Sequence, residues 1–199
     1  WYAITEPPFA PIAFPTGHKR RGVVGWVPPG VHIDKRLYRL TPKELGCAAF
    51  MGACLLSTFG LLEREVGGYA NFGQGLLELS VGDTVLLRVL DAAKTPAASR
   101  ARLEAATVPL LSRPIQMLYD ETRRRDRREL DDAFLEAAGF NSAAVRGRLV
   151  DDLHDAACRM IWRRMAKSGN SREARQTYDE WLATGEPFGA DVEDDEDEE

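Results

Sequence analysis

The sequence predicts an α+β fold: a small β-rich N-terminal part around one central buried helix, then a helical C-terminal part and a disordered acidic tail. Short segments rich in Pro, Gly and β-branched residues occupy the first 43 positions. An uncharged run covers residues 45–62, and apolar residues recur at helical spacing from about residue 96. The chain therefore divides into a β-rich region at 1–95, a helical region at 96–185 and a tail at 186–199.

The N-terminal elements are predicted from runs bounded by turn residues. Strands are expected at 11–15, 22–27, 31–34 and 36–42, and a longer extended segment at 77–90. Between them, Thr41 as N-cap, Pro42 at the first helical position and Glu44 predict a helix start. This helix should run to about Val66 and stop at the glycine pair that follows. Its uncharged run contains three glycines, so a helix packed on all sides fits it better than a membrane span.

The C-terminal elements are predicted from helical periodicity. Helices are expected from about residue 96 and over 126–138, the second ending at Gly139, with a last short helix at 171–183. The clearest amphipathic segment is 143–166, where apolar residues define one face. That face should consist of Val145, Leu149, Leu153, Ala156, Met160 and Ile161.

Charge is distributed unevenly along the chain. The formal net charge is −5, but the last nine residues hold eight acids, and removing them leaves 26 basic against 23 acidic residues, a net +3. Between Gly17 and Lys43 there are seven Lys and Arg residues against one acid, Asp34. They alternate with aromatic and histidine side chains, as in proteins that contact phosphates and bases, although an ordinary solvated loop has the same composition. A second basic run at 123–128 alternates with acids and predicts a salt-bridged helix surface.

The three cysteines and the N-terminus indicate the compartment. Cys47, Cys54 and Cys158 form no CxxC motif, and no histidine lies at ligand spacing, so they are interpreted as buried thiols in a reducing environment. The first residues lack the basic and apolar regions of a secretory signal. A cytoplasmic protein is expected. The missing initiator methionine indicates a piece of a longer chain.

Catalytic signatures are missing from the sequence. There is no GxSxG, HExxH or GxxxxGK[ST] motif, and the three histidines are isolated from one another. We therefore predict no catalytic and no metal-binding residue in this chain, and whether it is an enzyme stays open.

Four stretches, in this order, resemble one family. They are DKRLYRLTPK at 34–43, CLLSTFGLLEREVGG at 54–68, FGQGLLELSVGDTVLLRV at 72–89, and DRRELDDAFLEAAGF with LVDDLHDAACRMIWRRM within 126–165. Together they are similar to the C-terminal half of N6-adenine DNA methyltransferases of restriction-modification systems. The sequence departs from the family at Leu56, where Asn is usual before the Ser-Thr pair, and at 87–89, where a Leu-Pro-Ile-like triplet is usual.

The resemblance implies a DNA target-recognition region. In that family the cofactor loop and the catalytic tetrapeptide precede this region, so a catalytic methyltransferase domain is expected upstream of Trp1. The implied cofactor of the full-length protein is S-adenosylmethionine, with none bound by this chain alone. The expected partners are double-stranded DNA and the upstream catalytic domain, and no membrane is expected.

The candidate DNA-binding residues come from the basic cluster and from the glycine-rich turn. Glycines let a backbone approach a phosphate closely and offer it N–H groups, although they also allow a tight turn between two elements. The candidates are Lys19, Arg20, Arg21, Lys35, Arg36, Arg39, Asn71, Gly73, Gln74 and Gly75.

Two other functions remain open. The chain could be a free-standing hydrolase or transferase whose site follows none of the motifs above. It could also be a protein-interaction or structural module of a phage-defence complex, which keeps a methylase-like fold without reading DNA.

Deleting residues 191–199 should raise the affinity of the chain for a random-sequence DNA duplex at low salt. The segment carries eight acids, and like charges repel phosphate. Fluorescence anisotropy on a labelled duplex measures the effect, and an unchanged dissociation constant would count against it.

Overall fold

The structure is a computed structural model that describes residues 9–70, 75–167 and 183. Several predictions concern residues outside these ranges. They are those for Asn71, Gly73 and Gln74, for a helix at 171–183 (residue 183 excepted) and for the tail at 186–199.

The α+β class is confirmed, with two small antiparallel sheets in the N-terminal part and helices after them. The strands are β1 (Ile12–Pro15), β2 (Gly17–His18), β3 (Gly25–Trp26), β4 (Leu37–Leu40) and β5 (Leu77–Glu78). The helices are a short 3-10 helix (Leu45–Cys47), α1 (Ala48–Leu56), α2 (Thr58–Gly67), α3 (Val81–Thr84), α4 (Ala97–Leu111), α5 (Leu118–Thr122), α6 (Arg125–Ala137) and α7 (Ala143–Lys167).

The strands form a three-stranded sheet in the order β3-β1-β4 and a separate pair, β2-β5. In β1, Ile12 and Phe14 pair with Leu40 and Tyr38 of β4, and the Phe14 and Tyr38 rings pack edge to face at 5.7 Å. The predicted strand at 31–34 is wrong, because that segment has no strand partner and most of it is exposed.

The extended segment predicted at 77–90 is largely wrong, since only Leu77–Glu78 is a strand. The extended segment ends because a capping box formed by Ser80 and Asp83 begins a helix. The Ser80 hydroxyl accepts a hydrogen bond from the Asp83 backbone N–H at 3.1 Å, and the Asp83 carboxylate accepts one from the Ser80 N–H at 2.9 Å. This reciprocal pair starts α3, because a Ser with an acid three residues later satisfies the first backbone donors of a helix.

The single central helix predicted from Thr41 is in fact two helices that meet at Ser57 with a bend of 71°. Ser57 is extended (ψ 158°), so the α1 ladder ends there and α2 begins at the next residue. Thr41 is not a cap; its hydroxyl donates to the Phe9 carbonyl at 3.2 Å, and helical structure begins only at Leu45. The predicted end near the glycine pair is confirmed, since α2 ends at Gly67.

No single helix within the described ranges is long and apolar enough to cross a membrane. The segments Leu45–Leu56 and Thr58–Gly67 meet that criterion only when both halves of the bent pair are counted together.

The main apolar core takes residues from both predicted regions. Ile12 and Phe14 of β1 and Phe50 of α1 belong to one buried cluster with Leu103 of α4 and Leu130 of α6. A second cluster joins α2 and α5 to α7. The predicted boundary at residue 95 therefore runs through a shared core.

The long helix predicted at 143–166 is present as α7, but the predicted buried face is wrong by one residue, or about 100° of rotation. Apart from Ile161, the residues assigned to that face are only half-buried. The centre of the true face carries Arg146, His154 and Arg164, three polar residues that hydrogen-bond to carboxylates. A search for apolar residues at helical spacing cannot detect a buried helix face whose central residues are polar.

Buried charges cap both helix ends at the Ser57 break. At the end of α1, Arg127 donates to the Leu56 carbonyl at 2.6 Å and Arg64 donates to the Leu55 carbonyl at 3.5 Å. At the start of α2, the Asp131 carboxylate accepts from both the Thr58 N–H (2.7 Å) and the Thr58 hydroxyl (2.6 Å). The last carbonyls of a helix have no partners and carry partial negative charge, and its first N–H groups carry partial positive charge. Arginines at the end of α1 and a carboxylate at the start of α2 therefore have the favourable sign at each end.

Asp131→Asn should lower the free energy of unfolding by about 3 kcal/mol, because the amide replaces a fully buried carboxylate that also accepts from His154. Asp151→Asn is the matched control. Its pair with Arg128 is exposed and should contribute less than about 1 kcal/mol. Urea unfolding measures both, and equal losses would contradict the role given to Asp131.

Candidate nucleic-acid interface

The sheet register brings the two halves of the predicted basic cluster to one end of the three-stranded sheet. Pro15 of β1 is paired with Leu37 of β4, and the next residue, Thr16, donates its N–H to the Arg36 carbonyl at 2.9 Å. The segment that leads to Lys19 therefore starts beside Arg36.

Three of the predicted residues, Lys35, Arg36 and Arg39, are exposed at or beside the edge strand β4. Within the described parts of the chain, none of the three forms an ion pair with a carboxylate. Arg39 lies within β4, and Lys35 and Arg36 lie in the turn that precedes it. The result is a short row of accessible positive charge.

Most arginines of the helical part, in contrast, pair with carboxylates. The prediction of a salt-bridged surface at 123–128 is confirmed for most of that run. Arg124, Arg125, Arg127 and Arg128 all contact carboxylates, and Arg123 lies over the Tyr119 ring at 4.0 Å. A cleft of about 440 Å³ between α4, α6 and α7 is lined by several of these arginines together with Glu129 and Asp132. Its positive charge is therefore largely balanced within the protein.

The predicted residues Lys19, Arg20 and Arg21 line a cleft of about 300 Å³ with His18 and Leu76. Arg20 is half-buried and packs against α7, its guanidinium 5.5 Å from the centre of the Trp162 ring and 3.7 Å from the Met117 sulfur. Its backbone carbonyl accepts from the Leu118 N–H at 3.0 Å. Arg20 thus joins the N-terminal part to the helices, so its contribution is partly structural.

Gly75 is the one residue of the predicted glycine-rich turn that lies within the described ranges. It is buried and left-handed (φ 71°), and a Cβ atom at this position would overlap the Met165 sulfur. Its carbonyl accepts a hydrogen bond from Arg164. The close backbone approach that the sequence suggested is, at this residue, an approach to α7.

Arg164 of α7 is the centre of a buried polar group beneath these segments. It pairs with the Glu65 carboxylate through two hydrogen bonds of 2.8 and 2.9 Å. Its remaining N–H groups donate to the carbonyls of Lys19 and Gly75. We call His18, Glu65 and Arg164 the Arg164 cluster.

His18 completes the Arg164 cluster from the other side of Glu65. Its Nε2 lies 3.2 Å from a Glu65 oxygen, and a carboxylate only accepts, so Nε2 donates. Burial lowers the pKa of His18, and the hydrogen bond to Glu65 offsets only part of that effect. For Glu65, burial opposes ionisation, but the hydrogen bonds from His18 and Arg164 outweigh it and hold the pKa of the carboxyl below its ordinary value. The Glu65–Arg164 pair is therefore charged beside a neutral imidazole at neutral pH.

Arg64 lies next to this cluster and is fully buried. It donates to the carbonyls of Gly60, Val23 and Leu55 at 3.3 to 3.5 Å, and its guanidinium lies 5.5 Å from the Phe14 ring centre. Burial lowers the pKa of Arg64 to about 10. It remains charged and supports the backbone around the Ser57 break.

The buried charges at Ser57 and the Arg164 cluster were not predicted from the sequence. Their signal is a series of polar and apolar residues on α7 at positions 146, 150, 154, 157, 161 and 164, three or four apart. A search for the apolar residues alone passes over it. Acidic partners for the polar members lie on α2 and α6, far away in the sequence.

The described residues contain no group of three or more His, Cys, Asp or Glu side chains that could hold a metal ion. Cys54 and Cys158 are buried as predicted, whereas Cys47 is half-buried. Burial raises the pKa of Cys54 to about 11 and that of Cys158 to about 12, so both thiols stay protonated at neutral pH.

Comparisons with known proteins give no assignment: no protein-family model, no curated protein and no solved structure matches this chain.

The free energy of unfolding should fall as the pH drops below about 6.5, by up to about 1.4 kcal/mol per pH unit. The reason is that unfolded His18 takes up a proton near its ordinary pKa of 6.5, while the folded state resists protonation because burial lowers that pKa. His18→Gln is the control, since its amide donates to Glu65 without titrating.

Urea unfolding between pH 7.5 and 5 measures this effect, above the range in which carboxylates titrate. If the wild type and His18→Gln lose stability in parallel, the loss does not come from His18.

Proposed function

We propose that this chain binds double-stranded DNA through the row of exposed cations Lys35, Arg36 and Arg39, with Lys19 and Arg21 on the adjoining segment. Phosphate contacts need accessible guanidinium and ammonium groups, and these supply the sequence-independent part of affinity for a duplex.

One observation carries the proposal. Most arginines of the helical part form ion pairs with carboxylates, whereas the three side chains of the row at β4 form none with any described residue. Three neighbouring exposed cations without a carboxylate ion pair among the described residues form a surface that suits an external anion. Tyr38 lies between Arg36 and Arg39 in the sequence, but its hydroxyl donates to the Leu79 carbonyl at 2.7 Å and is thus engaged internally. The row therefore supports phosphate contact rather than base reading.

The finer proposal rests on the family resemblance. It makes the chain the target-recognition part of an N6-adenine DNA methyltransferase of a restriction-modification or phage-defence system, acting in the cytoplasm. S-adenosylmethionine would then be bound by a catalytic domain upstream of this chain.

A second candidate function, a protein-interaction module, is favoured by exposed apolar side chains. Val81, Val85 and Leu86 on and after α3 are 69 to 76% exposed, and Val66 of α2 is 65% exposed. The Arg88–Glu63 pair at 2.5 Å ties the two segments together. Contiguous exposed apolar surface is typical of protein contacts. This function becomes the better explanation if the chain does not bind a duplex.

The triple variant Lys35→Ala, Arg36→Ala, Arg39→Ala should flatten the plot of log binding constant against log salt concentration by about 2 to 3 units. Each phosphate contact on duplex DNA contributes about 0.9 to that slope. The measurement is a salt titration of binding to a labelled duplex by fluorescence anisotropy.

The matched control changes three paired surface arginines of the helical part, Arg125, Arg128 and Arg159, to Ala. It removes the same charge from a surface that already has carboxylate partners, so its slope should stay within about half a unit of the wild type. Equal flattening in both variants would mean that only net charge matters. A wild type without salt-dependent binding would overturn the proposed function.

A further inference from the structure

We infer that Arg164 is the positioning residue of the proposed DNA surface: it fixes the basic 17–21 segment relative to Gly75 and the two helices α2 and α7. This inference rests on the proposed function. It adds a residue that lies beneath the surface and touches no ligand itself.

The hydrogen bonds of Arg164 connect its own helix, α7, to three other segments of the chain. One nitrogen donates to the Lys19 carbonyl, which belongs to the basic segment, and another donates to the Gly75 carbonyl, which ends the glycine-rich turn. The same guanidinium is held by Glu65 of α2 through two hydrogen bonds. A single planar group thus joins two loops to two helices.

Among the described residues, backbone pairing also links the two segments that carry Lys19 and Gly75, and the Leu79 N–H donates to the Thr16 carbonyl at 3.0 Å. The strand pair β2-β5 joins them over two residues on each side, Gly17 with Glu78 and His18 with Leu77. Lys19 directly follows β2, and Gly75 lies two residues before β5. Arg164 donates hydrogen bonds to the carbonyls of both residues. Leu76 and Lys19 then line the same cleft of about 300 Å³.

The consequence for binding follows from preorganisation. A side chain on an ordered segment loses less conformational entropy when it meets a phosphate than one on a segment that must order first. Only the fork of an arginine reaches a carboxylate and two carbonyls together, because lysine has one compact ammonium. Replacing the Arg164 guanidinium should therefore remove phosphate contacts as well as lower the free energy of unfolding.

The test compares Arg164→Lys with Arg127→Lys. Arg127 is a matched control, since it is also a buried arginine that joins a carboxylate, Glu121, to a backbone carbonyl, that of Leu56, yet it contacts neither loop. Both variants should lose stability. Binding to a labelled duplex is titrated with salt at a temperature at which thermal melting shows all proteins to be folded.

Arg164→Lys should reduce the slope of log binding constant against log salt by about 1 to 2 units, which corresponds to one or two lost phosphate contacts. Arg127→Lys should keep the wild-type slope. If both variants keep the wild-type slope, or both lose it equally, the positioning role is overturned while the proposed function stands. If the wild type itself shows no salt-dependent binding, the proposed function fails.

If Arg164→Lys does not fold, Glu65→Gln replaces it. The amide keeps the shape of the glutamate and weakens the grip on the guanidinium, so the slope should fall by about half to one unit. A folded Glu65→Gln variant with the wild-type slope overturns the inference.

Discussion

The fold depends on the break between α1 and α2 at Ser57. Buried helix ends expose carbonyls on one side and N–H groups on the other, and neither can be left without a partner in an apolar core. Here Arg64 and Arg127 satisfy the carbonyl end, and Asp131 satisfies the N–H end. The Ser57 hydroxyl adds a local cap, since it accepts from the Gly60 N–H at 3.2 Å.

The bend determines what α2 meets. A straight continuation of α1 would carry Glu65 in a different direction, whereas the 71° turn directs α2 along α7. Glu65 then reaches Arg164, and Arg164 in turn reaches the two loops. The surface at which we propose DNA binding is therefore supported by a chain of buried charges that begins at Ser57.

Several polar residues of the stretches compared with the methyltransferase family are buried. Thr58 bonds to Asp131, Arg127 donates to the Leu56 carbonyl, and Arg164 pairs separately with Glu65. Their roles follow from folding, whatever the chain binds. Function has to be argued from the exposed row at β4, whose charges have no such interior role.

Much of the architecture could be predicted from local patterns, and the parts that could not depend on distant partners. The helices α4, α6 and α7 follow from periodicity, and the end of α2 follows from its glycines. The break at Ser57 could not be predicted, because it is stabilised by Asp131 and Arg127, more than 70 residues away. The buried face of α7 was misplaced for the same reason, since Arg146, His154 and Arg164 are buried only with acids on other helices. The cations at 35–39 could be predicted as a basic segment because an excess of Lys and Arg can be counted without knowledge of tertiary contacts.

The span of these contacts has a consequence for synthesis. Arg164 is separated from Glu65 by 99 residues and from Lys19 by 145, and Thr58 from Asp131 by 73. Protein chains emerge from the ribosome N-terminus first, so α2 and the strands exist before any of their charged partners on α6 and α7. A nascent chain that ends before residue 164 has Glu65 without its arginine. The contacts that join Lys19 and Glu65 to Arg164 can therefore form only after nearly the whole of α7 has been made.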